Sequence, residues 1–80
     1  MNKETVVKII ARALELNKDK IVYTSHMDEL DEWDSLGHLS ILMQLDEDFK
    51  GKVSGLKSLA EAKTVSEICD ILLEAKLIVG

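Results

Sequence analysis

The chain has no proline, so nothing in it forbids long hydrogen-bonded turns, and its supply of Leu, Ile, Lys and Glu leans helical. Its one cysteine, Cys69, excludes an internal disulfide framework. With only His26 and His38 beside it, no structural zinc site is expected. No apolar run exceeds four residues, which excludes a membrane span and the core of a signal peptide and makes the cytoplasm the expected compartment. Cations are too few for a nucleic-acid binder: 10 Lys and Arg against 15 Asp and Glu leave a net charge of −5, whereas phosphate backbones must be met by clustered Lys and Arg. Eighty residues cannot divide their apolar content between two cores, so one domain over 1–80 is expected. A hydrophobic content of 46% with 31% charged residues is globular composition and argues against disorder.

The negative charge is not spread evenly. Residues 17–35 set Lys18 and Lys20 against Asp19, Asp28, Glu29, Asp31, Glu32 and Asp34, and residues 36–50 set Lys50 against Asp46, Glu47 and Asp48. The two ends of the chain are close to balance. A field focused in this way attracts basic partners and speeds their encounter without fixing who they are.

Three stretches carry helical periodicity. In residues 3–16, Val6, Ile9, Ile10, Ala13 and Leu14 recur at steps of three and four, behind Asn2 as a cap. In residues 35–49, Leu36, Leu39, Leu42, Met43, Leu45 and Phe49 form a broad apolar face, with Asp34 at the capping position and Gly51 as terminator. The third opens with the capping box Thr64-Val65-Ser66-Glu67, carries Val65, Ile68, Cys69, Leu72 and Ala75 as its stripe, and should end near Lys76. Between the last two, Leu56, Leu59 and Ala62 predict one further turn or two of helix, bounded by Gly55 and Thr64. The expected fold is therefore all-α.

The connection from Asn17 to Asp34 lacks periodicity. Loops longer than about 12–15 residues are uncommon in compact domains and tend to be functional or disordered. This one holds Ile21, Val22, Tyr23, Met27, Leu30 and Trp33, enough apolar surface to pin it across the helices. A pinned loop that delivers the chain to a helix N-terminus marks that junction as the working part.

Ser35 stands at the junction. A serine at a helix start is most often itself a cap, but here Asp34 takes that place and moves Ser35 into the first turn. Its hydroxyl then lies beside free amides and the positive end of the helix dipole, where a phosphate is favoured. A catalytic reading is weaker. His38 can share a helix face with Ser35, yet there is no Gly-x-Ser-x-Gly elbow, and His38 reads as a surface neighbour rather than a base. The acids of 28–34 do not follow a calcium loop, since Trp33 stands where a loop begun at Asp28 needs glycine. No metal ligand and no catalytic residue is assigned.

The run Asp34-Ser35-Leu36, followed by Leu39, Leu42 and the ending Leu45-Asp46-Glu47-Asp48-Phe49, resembles the Asp-Ser-Leu signature of acyl carrier proteins. The likeness extends along nearly the whole chain: an amphipathic first helix, a long loop, a serine-headed second helix, a short third and a closing helix behind Thr64-Val65. It implies a four-helix bundle of acyl-carrier type, with three longer helices and a short third. It further implies that Ser35 is esterified by 4′-phosphopantetheine, donated from coenzyme A by a phosphopantetheinyl transferase, and that the arm's thiol carries acyl groups as thioesters between enzymes. Asp34 would then contact metal or transferase during loading, and Leu36 would anchor the helix start and touch partners. The implied partners are that transferase, an acyl- or aminoacyl-loading ligase, and acyltransferases or synthases with basic surfaces. The carrier, a monomer, catalyses nothing itself. An aminoacyl or peptidyl carrier would use the same serine, and an unmodified helical interaction module is the reading from a different class.

Departures from the family pattern point to a specialised carrier rather than the one serving fatty-acid synthesis. Glu32-Trp33 replaces a small pair before the motif. Gly37 and Ser40 stand where acids are usual, and Lys50, Lys52 and Lys57 occupy a linker that tends to be acidic. Gly37 inside a helix costs about 1 kcal/mol relative to alanine, so a steric or recognition reason is expected for it. Trp33 reads as a buried loop anchor, Cys69 as a small core residue, and Met43 as a core residue lining the space between helices where an acyl chain would fold in.

Overall fold

The computed structural model describes residues 2–79, so Met1 and Gly80 of the expected domain lie outside the described residues. Among these residues the chain is helical and forms no strand. Its α-helices are α1 (Lys3–Ala13), α2 (Ser35–Asp48) and α3 (Val65–Glu74). Short 3₁₀ helices lie at Lys18–Lys20, Met27–Glu29 and Lys57–Glu61. The piece expected around Leu56, Leu59 and Ala62 is the last of these. It starts without a side-chain cap and stops where Ala62 turns extended ahead of Thr64, so it stays a short element of the tighter type.

Each α-helix starts on the cap its sequence offers. Asn2 Oδ1 accepts from the Thr5 amide at 2.9 Å, Asp34 Oδ1 from the Gly37 amide at 2.8 Å, and Thr64 Oγ1 from the Glu67 amide at 3.0 Å. The box expected at Thr64 is only half formed, because the Glu67 carboxylate accepts from the Thr64 hydroxyl (3.2 Å) instead of its amide. A complete box forms inside the long loop. The Asp28 amide donates to His26 Nδ1 (3.1 Å) and the His26 amide to Glu29 Oε1 (2.9 Å).

All three α-helices end in the same way, with the last two amides folding back to the carbonyls five and three residues earlier. At α1 these are Leu16 to Ala11 and Glu15 to Arg12, at α2 Gly51 to Asp46 and Lys50 to Glu47, and at α3 Leu77 to Leu72 and Lys76 to Leu73. The left-handed residue is Glu15, Lys50 or Lys76, with φ of 58°, 56° and 62°. The terminator at α2 is therefore Lys50 together with Gly51 (φ 82°), and α1 closes at Ala13, short of the predicted residue 16. A side chain in this conformation carries a steric cost that glycine avoids. Glu15→Gly and Lys76→Gly are each expected to raise stability by about 0.5–1 kcal/mol, read as a higher urea midpoint at unchanged slope. A lower midpoint for both would refute this account of the helix ends.

The core gathers Val6, Ile9 and Ile10 from α1 with Leu14 at its C-cap, Ile41 and Leu45 from α2, and Val65, Ile68, Cys69 and Leu72 from α3. Burial pushes the Cys69 thiol up to about 11, so it packs as an uncharged, unreactive group at neutral pH. The long loop is pinned by buried Ile21 and Trp33 and by backbone bonds to the segment ahead of α3: Met27 amide to Lys63 carbonyl (2.8 Å) and Val65 amide to Ser25 carbonyl (3.1 Å).

The face that α2 buries differs from the predicted one. Leu45 and Phe49 are buried, Leu42 is half-buried, and the interior side is otherwise Ile41 and His38. Leu36, Leu39 and Met43 are 76%, 52% and 65% exposed, so Met43 is not a core residue. Apolar side chains stand on nearly every side of this helix. Its rotation is set by what His38 and Trp33 bond to rather than by where leucines recur.

Candidate functional site

The start of α2 is built by Asp34 and by the residue before it. Asp34 has extended backbone (φ −99°, ψ −165°), its carboxylate takes the Gly37 amide, and its carbonyl takes the His38 amide at 2.8 Å. Ser35 is therefore the first helical residue, and it is exposed. Its hydroxyl stands at the positive end of the α2 dipole, where an attached phosphate is stabilised.

Trp33, 1% exposed, is the buried anchor expected of it. Its indole Nε1–H donates to His38 Nδ1 at 3.0 Å, and the two rings lie nearly parallel at 13°. His38 is correspondingly not a surface residue: it is 7% exposed, and its Nε2 lies 2.8 Å from the Leu59 carbonyl oxygen. Because indole can only donate and a carbonyl only accept, Nδ1 is the acceptor and Nε2 carries the hydrogen. Both ring nitrogens are committed, so neither is left to take a proton from Ser35. His38 instead ties three elements together: the end of the loop, α2 and the 3₁₀ helix Lys57–Glu61.

Gly37 has the steric reason the sequence called for. A Cβ there would collide with the Glu32 carbonyl oxygen and stand 2.9 Å from Leu14 Cδ2. The loop backbone thus lies directly on the first turn of α2. Leu36, by contrast, anchors nothing; it projects into solvent, and Trp33 holds the helix start in its place.

Two grooves follow the seam between α2 and Lys57–Glu61. The first, about 460 Å³, lies beside Ser35 and is lined by His38, Met27 and residues 60–63. The second, about 300 Å³, is more apolar, with walls of Leu42, Met43, Val53, Leu56 and Leu59 and with Asp46, Ser54 and Lys57 among its lining residues. Ala60 borders both, so one seam leads from Ser35 to the second groove. Outside the seam, Asp28, Glu29, Asp31, Glu32 and Asp34 are all exposed along the loop that leads to Ser35. No three His, Cys, Asp or Glu side chains among the described residues are grouped to hold a metal ion, and no helix among them is long and apolar enough to cross a membrane.

Ser35, Asp34 and the Trp33 anchor are where the sequence placed them. The role of His38 and the exposed stripe of Leu36, Leu39 and Met43 were missed. The spacing of Trp33 and His38 was the available signal for the first, since their polar ring atoms can meet across a helix start. No family model, no curated protein and no solved structure matches the chain.

Proposed function

We propose that the protein is a carrier of acyl groups, held as thioesters on a 4′-phosphopantetheine arm esterified to Ser35. The observation that carries the reading is an exposed serine hydroxyl at the first position of α2, with Asp34 rather than Ser35 serving as the cap. The chain's own residues suit the group. Ser35 Oγ is open to an external transferase, the free amides of the first turn favour a phosphodiester, and the groove beside Ser35 gives an arm a bed along α2. When bound, the arm supplies a thiol that holds the cargo. Asp34 fixes the helix start and lies next to the hydroxyl, where it can meet the transferase and its metal during loading.

On this reading the three α-helices and the short Lys57–Glu61 element form the four-membered bundle of an acyl-carrier domain, acting in the cytoplasm without chemistry of its own. The exposed Leu36, Leu39 and Met43 beside the acids of 28–34 suit partners that present an apolar centre with a basic rim. These are the transferase, a loading ligase and acyl-accepting enzymes. Gly37 and Ser40 in place of acids on α2 support a dedicated pathway over general fatty-acid synthesis.

Incubation with coenzyme A, Mg²⁺ and a broad-specificity phosphopantetheinyl transferase is expected to add the mass of one phosphopantetheine to the wild type and none to Ser35→Ala. The variant should melt with the wild type, since an exposed first-turn hydroxyl contributes little to stability. No mass gain on the folded wild type would leave an unmodified interaction module as the better description. Cargo released from protein isolated from its own source distinguishes an acyl carrier from an aminoacyl carrier.

A further inference from the structure

The C-terminal ends of α2 and α3 come together around a pocket of about 280 Å³, lined by Asp48, Phe49, Lys50, Lys52, Lys76 and Leu77. Asp48, the one acid there, is already engaged: its Oδ2 accepts from Arg12 at 2.7 Å and its Oδ1 from Gln44 Nε2 at 3.3 Å. Lys50, Lys52 and Lys76 are exposed, and among the described residues none of them forms an ion pair. Three uncompensated cations thus share one rim of a chain whose net charge is −5. Helix geometry does not ask for them. Lys50 and Lys76 are the left-handed residues that close α2 and α3, a position glycine fills at lower steric cost. A cation is favourable at the carbonyl end of a helix, which accounts for one lysine at each end and leaves Lys52 unexplained. Placed together, the three repel one another unless an anion sits among them.

That anion is not a compact one. The amides of Lys50, Gly51, Lys76 and Leu77 are all bonded back into their helices, so no backbone donors converge as they would around a phosphate. The carbonyl ends of two helices also disfavour a compact negative charge between them. What the rim offers is three ammonium groups on long flexible stems, which suit carboxylates spaced along a chain. A membrane surface fits less well, since anionic lipids are met by clusters of about four to eight cations. We infer that this end of the molecule docks an acidic segment of a partner protein, with carboxylates on Lys50, Lys52 and Lys76 and an aliphatic side chain on Phe49 and Leu77. The surface lies about 20 Å from Ser35, the length of α2. On the carrier reading, a partner held there leaves the serine and its arm open to a second protein; the docking itself does not depend on that reading.

The probe is the acetylated, amidated peptide Glu-Glu-Leu-Glu-Glu, titrated against the unmodified protein beside its Gln-Gln-Leu-Gln-Gln counterpart. Amide resonances of Lys50, Gly51, Lys52, Lys76 and Leu77 should move with the acidic peptide. It should bind about tenfold more tightly than the amide counterpart, the factor that three exposed ion pairs supply together. The advantage should fade as salt is raised from about 20 to about 300 mM. Changing Lys50, Lys52 and Lys76 together to Gln should abolish the preference, whereas Lys8→Gln, the same charge change on α1, should keep it. Lys76→Gly, expected to be more stable than the wild type, should weaken binding about twofold to threefold, the share of one exposed pair. Its loss of affinity therefore cannot come from unfolding. Phosphopantetheine loading of Ser35 should proceed at the same rate with the peptide bound; a protein that never loads but still prefers the acidic peptide would sink the carrier reading alone. Equal affinity for the two peptides would overturn the inference. So would shifts confined to other residues, slower loading with the peptide bound, or binding to phosphatidylglycerol vesicles in place of the peptide.

Discussion

Trp33→Ala is expected to remove about 3–5 kcal/mol of stability, a large share of what a chain this size possesses at roughly 0.05–0.15 kcal/mol per residue. Two losses combine. The indole is 1% exposed, so its removal leaves a cavity where the loop meets α2. His38 Nδ1 also loses its donor while staying enclosed. Trp33→Phe separates them: it keeps most of the volume and forfeits only the hydrogen bond, for about 1–3 kcal/mol. Urea unfolding followed by circular dichroism at the helix band measures both. A Trp33→Ala midpoint within about 1 kcal/mol of the wild type would mean that the loop is held elsewhere. In that case the placement of Ser35 would not depend on this anchor.

Gly37→Ala is expected to destabilise the protein by about 2 kcal/mol, against the rule that alanine improves a helix interior by about 1 kcal/mol over glycine. The rule fails because the added carbon meets the Glu32 carbonyl oxygen, which is backbone and cannot swing aside, while Leu14 Cδ2 at 2.9 Å closes the other side. Relief requires the loop to lift off the first turn of α2, two residues from Ser35. On the proposed carrier reading, loading by the transferase should therefore slow in the same variant, whereas Ser40→Ala, on the exposed side of the helix, should change neither quantity. A Gly37→Ala protein more stable than the wild type would show that the approach of loop to helix is not as close as described.

What the sequence made legible follows from how local each interaction is. Asn2, Asp34 and Thr64 cap their helices through atoms three residues away, so residue type and position were enough to place them, and with Asp34 placed, Ser35 followed. Helical periodicity found most of the buried side of α1 and α3 because their polar residues keep to one face, although Ala11 rather than Ala13 is buried on α1 and Ala75, beyond the end of α3, is only half-buried. On α2 it failed, because Leu36, Leu39 and Met43 are as apolar as Ile41 and Leu45 and differ from them only in exposure. What selects the inward side is the bond from His38 to the carbonyl of Leu59, 21 residues along the chain, together with the bond from Trp33. A histidine near a helix start gives no local hint of such a partner, and polarity alone suggested the surface. The end of α1 was misjudged because Glu15 adopts a conformation that glycine usually announces.

The single indole of the chain lies two residues before Ser35, with its N–H committed to His38. Light absorbed at the red edge of the near-ultraviolet band is taken up by this ring alone, so the emission that follows comes entirely from one junction and needs no unmixing. Its intensity and colour depend on how closely the imidazole and the loop enclose it. The molecule thus carries its own gauge of the junction, and handling of the serine or docking along α2 can be followed in real time without attaching a dye.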